Sequence, residues 1–317
     1  MARALRITFP GAFYHITSRG NERKAVFKSN RDREKFLEYL ESATQRYDAV
    51  IHTYCLMDNH YHLLLETPVG NLPQIMRHIN GAYTTYFNTK RMRSGHLFQG
   101  RYKAILVDVD EYVKELSRYI HLNPVRAKMV EKPEDYKWSS YRFFVGKEKV
   151  PPWLNTELIM GYFGSGKVER INKYSRFINS IVGRKHNNPL ENVVSSTLLG
   201  SEGFISYIKK TFLSGMTPNK DIPVLKHLIP RATIQEISDA VNGAFGEDVQ
   251  LARIIKIYLC REFSGEKLKD IGEHAGITES GVVHASNRIA GKIKANKNLR
   301  RQVERLVRDL KLSKFKT

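Results

Sequence analysis

Cysteine is scarce in this sequence, which has only Cys55 and Cys260 among its 317 residues. The two lie in separate predicted domains, so we interpret both as small core residues in a reducing, cytoplasmic environment. Long apolar runs are also missing, since none approaches the roughly 20 residues that a membrane-spanning helix requires. The N-terminus leads directly into a strand-like run, so no signal peptide is predicted. We therefore expect a cytoplasmic protein with no membrane partner.

Acidic residues are the second shortage. The chain has 32 Asp and Glu against 52 Lys and Arg, which gives a net charge of +20 and a pI near 9.8. Such an excess of cations favours a polyanionic partner, and nucleic acid is the commonest one for a protein of otherwise ordinary composition. A membrane surface is the alternative, but it would require a basic amphipathic helix or a lipidation signal, and no clear one is found.

Residues 12–108 alternate between strand and helix patterns. In chain order the patterns predict a strand at 12–19, a helix at 30–47, strands at 50–57 and 60–67, a helix at 71–90 and a strand at 96–108. The inward faces of the two helices are predicted to carry Phe36, Leu40, Ala43 and Tyr47, and Leu72, Ile75, Ile79, Ala82 and Tyr86. The β-α-β-β-α-β order is the split βαβ of ferredoxin-like folds, with four antiparallel strands and both helices on one face. The predicted fold class is α+β, a ferredoxin-like core followed by an all-α domain.

Two histidines lie in the second strand of the central hairpin. Asp58 and Asn59 suit a tight turn, and His60 and His62 are two apart on a strand, so they project to the same side. Paired imidazoles on a rigid strand can bind a divalent metal. Alone, such a pair is more often an ordinary surface feature. The metal interpretation therefore depends on a third ligand and a reactive group elsewhere.

A third ligand and a reactive group are both supplied by a helix that is predicted to begin near Asp110 and to end before Pro124. Tyr119 and Asn123 are four apart and lie one above the other on the flank of its buried stripe, so they can offer a phenol and an amide to one site. A half-buried packing role is the alternative for Tyr119 alone. Because the helix follows the completed sheet, it is free to cover the other face and to bring its tyrosine near the two histidines.

Separated motifs in this order resemble a known family. Residues 14–27 read YHITSRGNERKAVF, 57–68 read MDNHYHLLLETP, 118–127 read RYIHLNPVRA and 135–141 read DYKWSSY. Over about its first 145 residues the chain is similar to single-tyrosine HUH transposases, and most of all to the branch of REP-associated tyrosine transposases.

The resemblance implies an activity and a role for each candidate residue. A divalent metal, Mg²⁺ or Mn²⁺, would be held by His60, His62 and Asn123. Tyr119 would cut and rejoin single-stranded DNA of hairpin or repetitive palindromic elements through a 5′-phosphotyrosine intermediate, without a nucleotide. Relatives of this kind are usually dimers, so a homodimer is expected. The alternative is a non-catalytic DNA-binding regulator or architectural protein, against which the intact histidines and tyrosine argue.

Basic residues surround the predicted sheet, with aromatic residues such as Phe98 and Tyr102 among them. Cations beside stacking rings suit single-stranded DNA, where phosphates and unstacked bases are both available. A solvated surface is the alternative for any one of them. The predicted DNA contacts in this part of the chain are Arg19, Arg23, Lys24, Arg91, Arg93, Arg101 and Lys103.

The chain changes character after residue 145. Residues 146–152 read as a breaker-rich linker, and 153–225 as short helical runs. Within them, 161–168 nearly form a phosphate-binding loop, but Val168 stands where Ser or Thr must bind magnesium, so nucleotide hydrolysis is rejected. The predicted domains are 1–145, a connecting segment 146–225, and 226–317.

Residues 268–285 predict a helix-turn-helix, with Gly276 at the turn, Thr278 capping the second helix, and Val282, Val283 and Ala285 on its inward face. The stretch is similar to the C-terminal DNA-binding domain of the bacterial chromosomal replication initiator, although that domain's base-reading segment is replaced here. A helical hairpin without DNA binding is the alternative. Residues 288–317 hold eleven Lys or Arg against two acids, which favours phosphate contact with duplex DNA. The expected contacts are Thr278, Ser280, His284, Arg288 and Lys292.

Overall fold

The computed structural model describes residues 5–183, 188–213, 228 and 232–310. Contacts divide the chain into two compact units, of which Arg6–Ile205 is one and Ser206–Thr317 is the main part of the other. Across the described ranges, no helix is both long and apolar enough to cross a membrane. Cys55 and Cys260 are free and buried, in different units, which confirms that they are core residues.

The first unit is organised around a sheet. Up to residue 208 the elements are β1 (Ala12–Arg19), α1 (Asn30–Tyr47), β2 (Val50–Leu56), β3 (His60–Thr67), α2 (Leu72–Lys90), β4 (Lys103–Val107), α3 (Val109–His121), α4 (Asn123–Arg126), α5 (Tyr141–Phe144), α6 (Glu157–Met160), α7 (Lys167–Asn179), β5 (Leu198–Leu199) and α8 (Glu202–Ile208). The strand order is β2-β3-β1-β4-β5. The first four strands pair antiparallel, and β5 pairs parallel with β4. The order of elements from β1 to β4 is the predicted one, whereas β5 has no counterpart in the prediction.

Helix α1 has the predicted bounds because both of its ends carry suitable residues. The Ser29 side chain accepts a hydrogen bond from the Asp32 backbone N–H, 3.3 Å away, and so caps the first turn. Asp48 ends the helix in the left-handed conformation, with φ of 53°.

The predicted inward faces of α1 and α2 are partly right. In α1 the residues Phe36, Leu40 and Ala43 are buried, whereas Tyr47 is only partly so. In α2 the fully buried residues are Leu72, Ile75, Met76, Ile79, Tyr83 and Phe87, whereas Ala82 and Tyr86, predicted as inward residues, are only partly buried. Burial of the two rings of Tyr83 and Phe87 removes more apolar surface from water than burial of Ala82 and Tyr86 would, and this favours the observed orientation of α2 about its axis.

Strand β4 begins at Lys103 rather than at 96. Gly95 and Gly100 have positive φ angles of 89° and 66°, so the chain turns where the prediction had it extended. Phe98 pairs with the end of β1 only through an isolated bridge to Gly20.

The two faces of the sheet carry different helices. The ring of Tyr61 in β3 lies 4.7 Å from that of Phe36 in α1, so the odd-numbered residues of β3 face α1. Leu64 packs instead in a buried cluster with Leu116 and Ile120 of α3. The even-numbered residues of β3, His60 and His62 among them, therefore lie on the face that α3 covers.

The two outer strands of the antiparallel part of the sheet, β2 and β4, are partly covered by later parts of the same chain. Beside β2, the Leu56 N–H donates to the Trp138 carbonyl (2.9 Å), and the Asn155 N–H donates to the Ile51 carbonyl (2.8 Å). Beside β4 lies β5. β5 pairs only with Leu106 and Val107, so within the described residues the earlier part of β4, from Lys103 to Ile105, has no strand on that side.

Residues 146–205, most of the predicted connecting segment, belong to the same compact unit as the sheet. Phe163, Tyr174 and Ile178 are buried in one cluster with Leu116 of α3. The contact-based unit runs on to Ile205, while the domain boundaries at 145 and 225 stay predictions. The stretch at 161–168 follows the helix α6 and not a strand, in keeping with the rejection of a phosphate-binding loop.

The second unit is helical. From residue 232 onward its α-helices are α9 (Ile234–Phe245), α10 (Val249–Leu259), α11 (Leu268–Ala275), α12 (Glu279–Ala295) and α13 (Lys297–Asp309). A π-helical turn, Cys260–Ser264, follows α10. The buried cluster between these helices includes Ile237, Ile255, Ile271, Val282 and Ile289.

The connection between α11 and α12 has the predicted turn residues. Gly276 ends α11 in the left-handed conformation, with φ of 67°. The Thr278 hydroxyl accepts a hydrogen bond from the Gly281 N–H (3.2 Å) and caps α12. Val282 is buried as predicted, whereas Val283 and Ala285 are only partly so.

Candidate active site

Strand β3 holds His60 and His62 side by side. Their ring centroids are 5.0 Å apart, with His62 buried and His60 half-buried. Burial lowers the pKa of His60, and burial together with the neighbouring His15 and His60 lowers that of His62 much further. Both rings are therefore neutral near pH 7, which is the form that binds metals.

Helix α3 brings Tyr119 to these histidines. The phenol ring meets that of His62 edge to face, with centroids 5.8 Å apart and planes at 78°. Tyr119 is also partly packed against the core cluster, so its packing role and its place at the site coexist. Burial raises the pKa of Tyr119, and a nearby cation, Arg126, counteracts part of that rise.

Asn123 begins α4, one turn beyond Tyr119. Its amide nitrogen donates to the carbonyl of Tyr119 (2.9 Å) and, more weakly, to that of Ile120 (3.4 Å). These carbonyls at the end of α3 fix the amide nitrogen of Asn123. A metal would bind the amide oxygen, which is on the opposite side of the same amide group.

The hydrogen bonds of the two histidines fit a divalent cation. His60 Nδ1 lies 2.7 Å from the Asn59 amide oxygen, so it carries a proton and donates, which leaves Nε2 as a lone pair. His62 Nδ1 is likewise engaged, by His15 Nε2 at 3.0 Å. A hydrogen bond to the other ring nitrogen is the usual support for a metal-binding imidazole. The described residues contain no cluster of three or more His, Cys, Asp or Glu that could hold a metal, so a cation here would depend on the two imidazoles, an amide oxygen and groups from water or substrate.

Two residues of the site are absent from the sequence prediction. His15, on β1, is buried against both His62 and Tyr119, with ring centroids 5.2 Å and 6.0 Å away. Arg126 places its guanidinium carbon 4.4 Å from the centroid of the Tyr119 ring. Arg126 is seven residues after Tyr119, two helical turns on, so helical spacing could have indicated it. His15 had no comparable signal, since its position depends on how β1 pairs with β3.

Comparison with known proteins gives one family match and one structural neighbour. Residues 8–123 match the family model described as transposase IS200 like. The matched segment is well under half of the chain, and it includes His60, His62 and Tyr119 and ends at Asn123. Among solved structures, a REP-associated tyrosine transposase bound to a REP hairpin is 16% identical over 49% of this chain and 92% of its own, with a TM-score of 0.40.

Most of the predicted DNA contacts within residues 8–123 are exposed: Arg19, Arg23, Lys24, Arg93, Arg101 and Lys103. Arg91 differs, because it forms an ion pair with the fully buried Asp32 and its guanidinium lies 4.0 Å from the centroid of the Phe87 ring. Its charge is therefore engaged in holding the end of α2 to the start of α1.

The predicted DNA contacts after residue 123 lie on α12 and at its start. Thr278, Ser280, His284, Arg288 and Lys292 are all exposed. The last four are spaced by four residues, so they form one stripe along α12. The buried residues of the same helix, Val282, Ser286 and Ile289, are spaced along its inward side.

Proposed function

We propose that this protein is a metal-dependent transposase or nickase that cuts and rejoins single-stranded DNA. The observation that carries the proposal is the contact between the Tyr119 phenol and the His62 imidazole, inside the segment that matches the IS200-like transposases. The hairpin or palindromic nature of the substrate rests on the sequence resemblance. The net charge of +20 supports a DNA substrate.

In the proposed reaction, the Tyr119 hydroxyl attacks the phosphorus of one DNA linkage. The P–O3′ bond breaks, the phenol loses its proton to solvent, and the departing O3′ takes up a proton to become a hydroxyl. The downstream strand stays on Tyr119 as a 5′-phosphotyrosine. Attack by the 3′-hydroxyl of another strand reverses these steps and restores the phenol, so no nucleotide is needed.

The site residues divide the supporting work. A divalent cation, when bound by His60, His62 and Asn123, would polarise the scissile phosphate, which matters because a free phenol is a weak nucleophile at neutral pH. Arg126 provides a fixed positive charge over the Tyr119 ring that favours the phenolate and can also attract a phosphate.

We further propose that the sheet domain is of the ferredoxin-like class. We also propose that α11 and α12 form a helix-turn-helix that binds duplex DNA, as the resemblance to the replication initiator domain implies.

A homodimer is the assembly that the transposase resemblance implies.

The nucleophile is tested with hairpin-containing single strands labelled at either end. Wild type is expected to become covalently joined to the 3′-labelled fragment and to release a 5′-labelled fragment with a free 3′-hydroxyl. Tyr119→Phe removes only the hydroxyl, so DNA binding should persist while the adduct disappears. Tyr112→Phe, on the same helix, is the matched control and should still form the adduct. An adduct formed by Tyr119→Phe would disprove the assignment.

The metal is tested in the same assay. EDTA should abolish cleavage, as should His60→Ala or His62→Ala, whereas Asn123→Ala should impair it less because water can replace an amide oxygen. Addition of excess Mg²⁺ or Mn²⁺ should restore the cleavage that EDTA abolished. His78→Ala, on α2, is the control and should have no effect. Cleavage that continues in EDTA would exclude a metal role.

A further inference from the structure

His15 is a buried imidazole that no part of the proposed reaction yet uses. It is only 1% exposed, and its ring stacks on that of His62 with planes 6° from parallel. Its Nε2 lies 3.0 Å from His62 Nδ1, a hydrogen bond between β1 and β3. His15 therefore touches the His62 ring on the nitrogen that a metal bound through Nε2 would leave unused.

The other ring nitrogen of His15, Nδ1, makes no hydrogen bond within the described residues. That atom is also buried. A buried polar atom without a partner destabilises the folded protein, and an apolar ring would fill the same space without that loss. The unpaired nitrogen is thus evidence that the imidazole is retained for its hydrogen bond to His62 and not for packing.

The hydrogen bond has a chemical consequence, because only one proton can lie between two ring nitrogens. For His62 to offer the lone pair of Nε2 to a cation, its own proton must sit on Nδ1 and point at His15. His15 Nε2 must then accept, and His15 must carry its proton on the unpaired Nδ1. The opposite arrangement puts a proton on His62 Nε2 and blocks that atom.

We propose that His15 is a positioning residue that holds His62 in the tautomer and orientation required to bind a divalent cation through Nε2. The inference rests on the proposed metal site. Residues in this position, hydrogen-bonded to a metal ligand but not to the metal, commonly alter metal affinity when replaced.

The first test measures Mn²⁺ binding to the full-length protein by calorimetry, without DNA. His15→Phe keeps a stacked ring but removes the acceptor, and should weaken Mn²⁺ binding by about 10- to 100-fold. His15→Gln can place an amide oxygen near the position of Nε2, and should recover most of the affinity. His52→Phe is the matched control, because His52 is also a buried strand histidine (1% exposed), but it pairs with Glu66 and should leave Mn²⁺ binding unchanged.

The outcomes separate the two proposals. If His62→Ala binds Mn²⁺ as well as wild type does, the metal site itself is wrong. If His62→Ala loses binding while His15→Phe retains it in full, the metal site stands and the role of His15 is disproved.

A second measurement needs no variant and so does not depend on the folding of His15→Phe. Nitrogen-15 spectra of wild type saturated with Mg²⁺ should show the His62 proton on Nδ1 and the His15 proton on Nδ1. A His62 proton on Nε2 in the Mg²⁺-bound protein would overturn the inference.

Discussion

Arg126 is expected to set how the cleavage rate depends on pH, because its charge acts on the ionisation of the Tyr119 phenol. Burial raises the pKa of Tyr119, and the positive charge of Arg126 lowers it. Since the phenolate is the reactive form, cleavage should rise with pH, and Arg126→Ala should shift that rise to higher pH. We expect Arg126→Ala to lose about tenfold or more in cleavage rate near neutral pH and to regain part of it about two pH units higher.

The measurement is the initial rate of adduct formation across the pH range, with saturating DNA. Arg126→Lys keeps the charge and should follow wild type more closely. A loss that is the same at every pH would show instead that Arg126 acts by binding the phosphate.

His121, the last residue of α3, makes the stability of the first unit sensitive to acid. It faces the core, where Nδ1 lies 2.7 Å from the Tyr174 hydroxyl and Nε2 lies 2.7 Å from the Ser140 hydroxyl. Burial lowers its pKa to about 3, while the unfolded chain takes up a proton near pH 6.5. The stability due to neutral His121 is therefore complete above about pH 6.5 and falls by up to about 1.4 kcal/mol per pH unit as the pH drops toward 3.

His121→Gln should reduce the slope of the unfolding free energy against pH by about that amount between roughly pH 5 and pH 6. The two tryptophans of the chain, Trp138 and Trp153, both lie in the first unit, so their fluorescence reports its unfolding and not that of the second unit. An unchanged slope would contradict the prediction, whatever the change in overall stability.

At the scale of elements, local sequence signals predicted most of the strands and helices from β1 to α3. Helix α1 has its predicted bounds because Ser29 and Asp48 act on their own ends, and the hairpin carrying His60 and His62 is defined by its own turn. The buried stripe of α3 is also local, since Leu116 and Ile120 are one turn apart on it.

The parts that sequence reasoning missed depend on distant partners. β5 is two residues long and exists only through its pairing with β4, far earlier in the chain. His15 meets His62 because of the register of β1 on β3, in which Thr17 is opposite His62. The rotation of α2 was decided by how Tyr83 and Phe87 pack, and the spacing of apolar residues alone permits either choice.

The exposed stripe of α12 gives a prediction about salt dependence. Each phosphate contact releases counterions, so Arg288→Ala or Lys292→Ala should each lower the slope of log duplex affinity against log salt by roughly 0.9. Arg31→Ala, which removes an exposed cation of α1, should leave the slope unchanged. If neither stripe variant changes the slope, α12 does not contact the phosphates of duplex DNA.

For the whole molecule, the two compact units predict where the chain can be shortened. A protein ending at Ile205 retains α7 and β5 and should still nick single strands, while its duplex affinity falls. A protein ending at residue 145 loses Tyr174, Ile178 and β5 from the first unit, and should unfold more readily and lose activity. Tryptophan fluorescence, nicking and duplex binding measured on the two proteins test this together.

The competing view is that the C-terminal part holds an active dimer together. In that case the protein ending at Ile205 would lose nicking and change its mass in solution. Light scattering on the full chain and on this shorter one separates the two views.

The late arrival of β5 also sets a timetable for synthesis. Leu106 of β4 pairs with Leu198, which is synthesised about ninety residues later. Ribosomes add roughly 5–20 residues per second. The end of β4 that holds Leu106 and Val107 is therefore uncovered on the side opposite β1 for on the order of 5–20 s in every new molecule, until β5 has been made. During that interval the nascent chain offers a strand to any neighbour on the same messenger RNA, so crowded translation should be the stage at which this protein is most prone to aggregate.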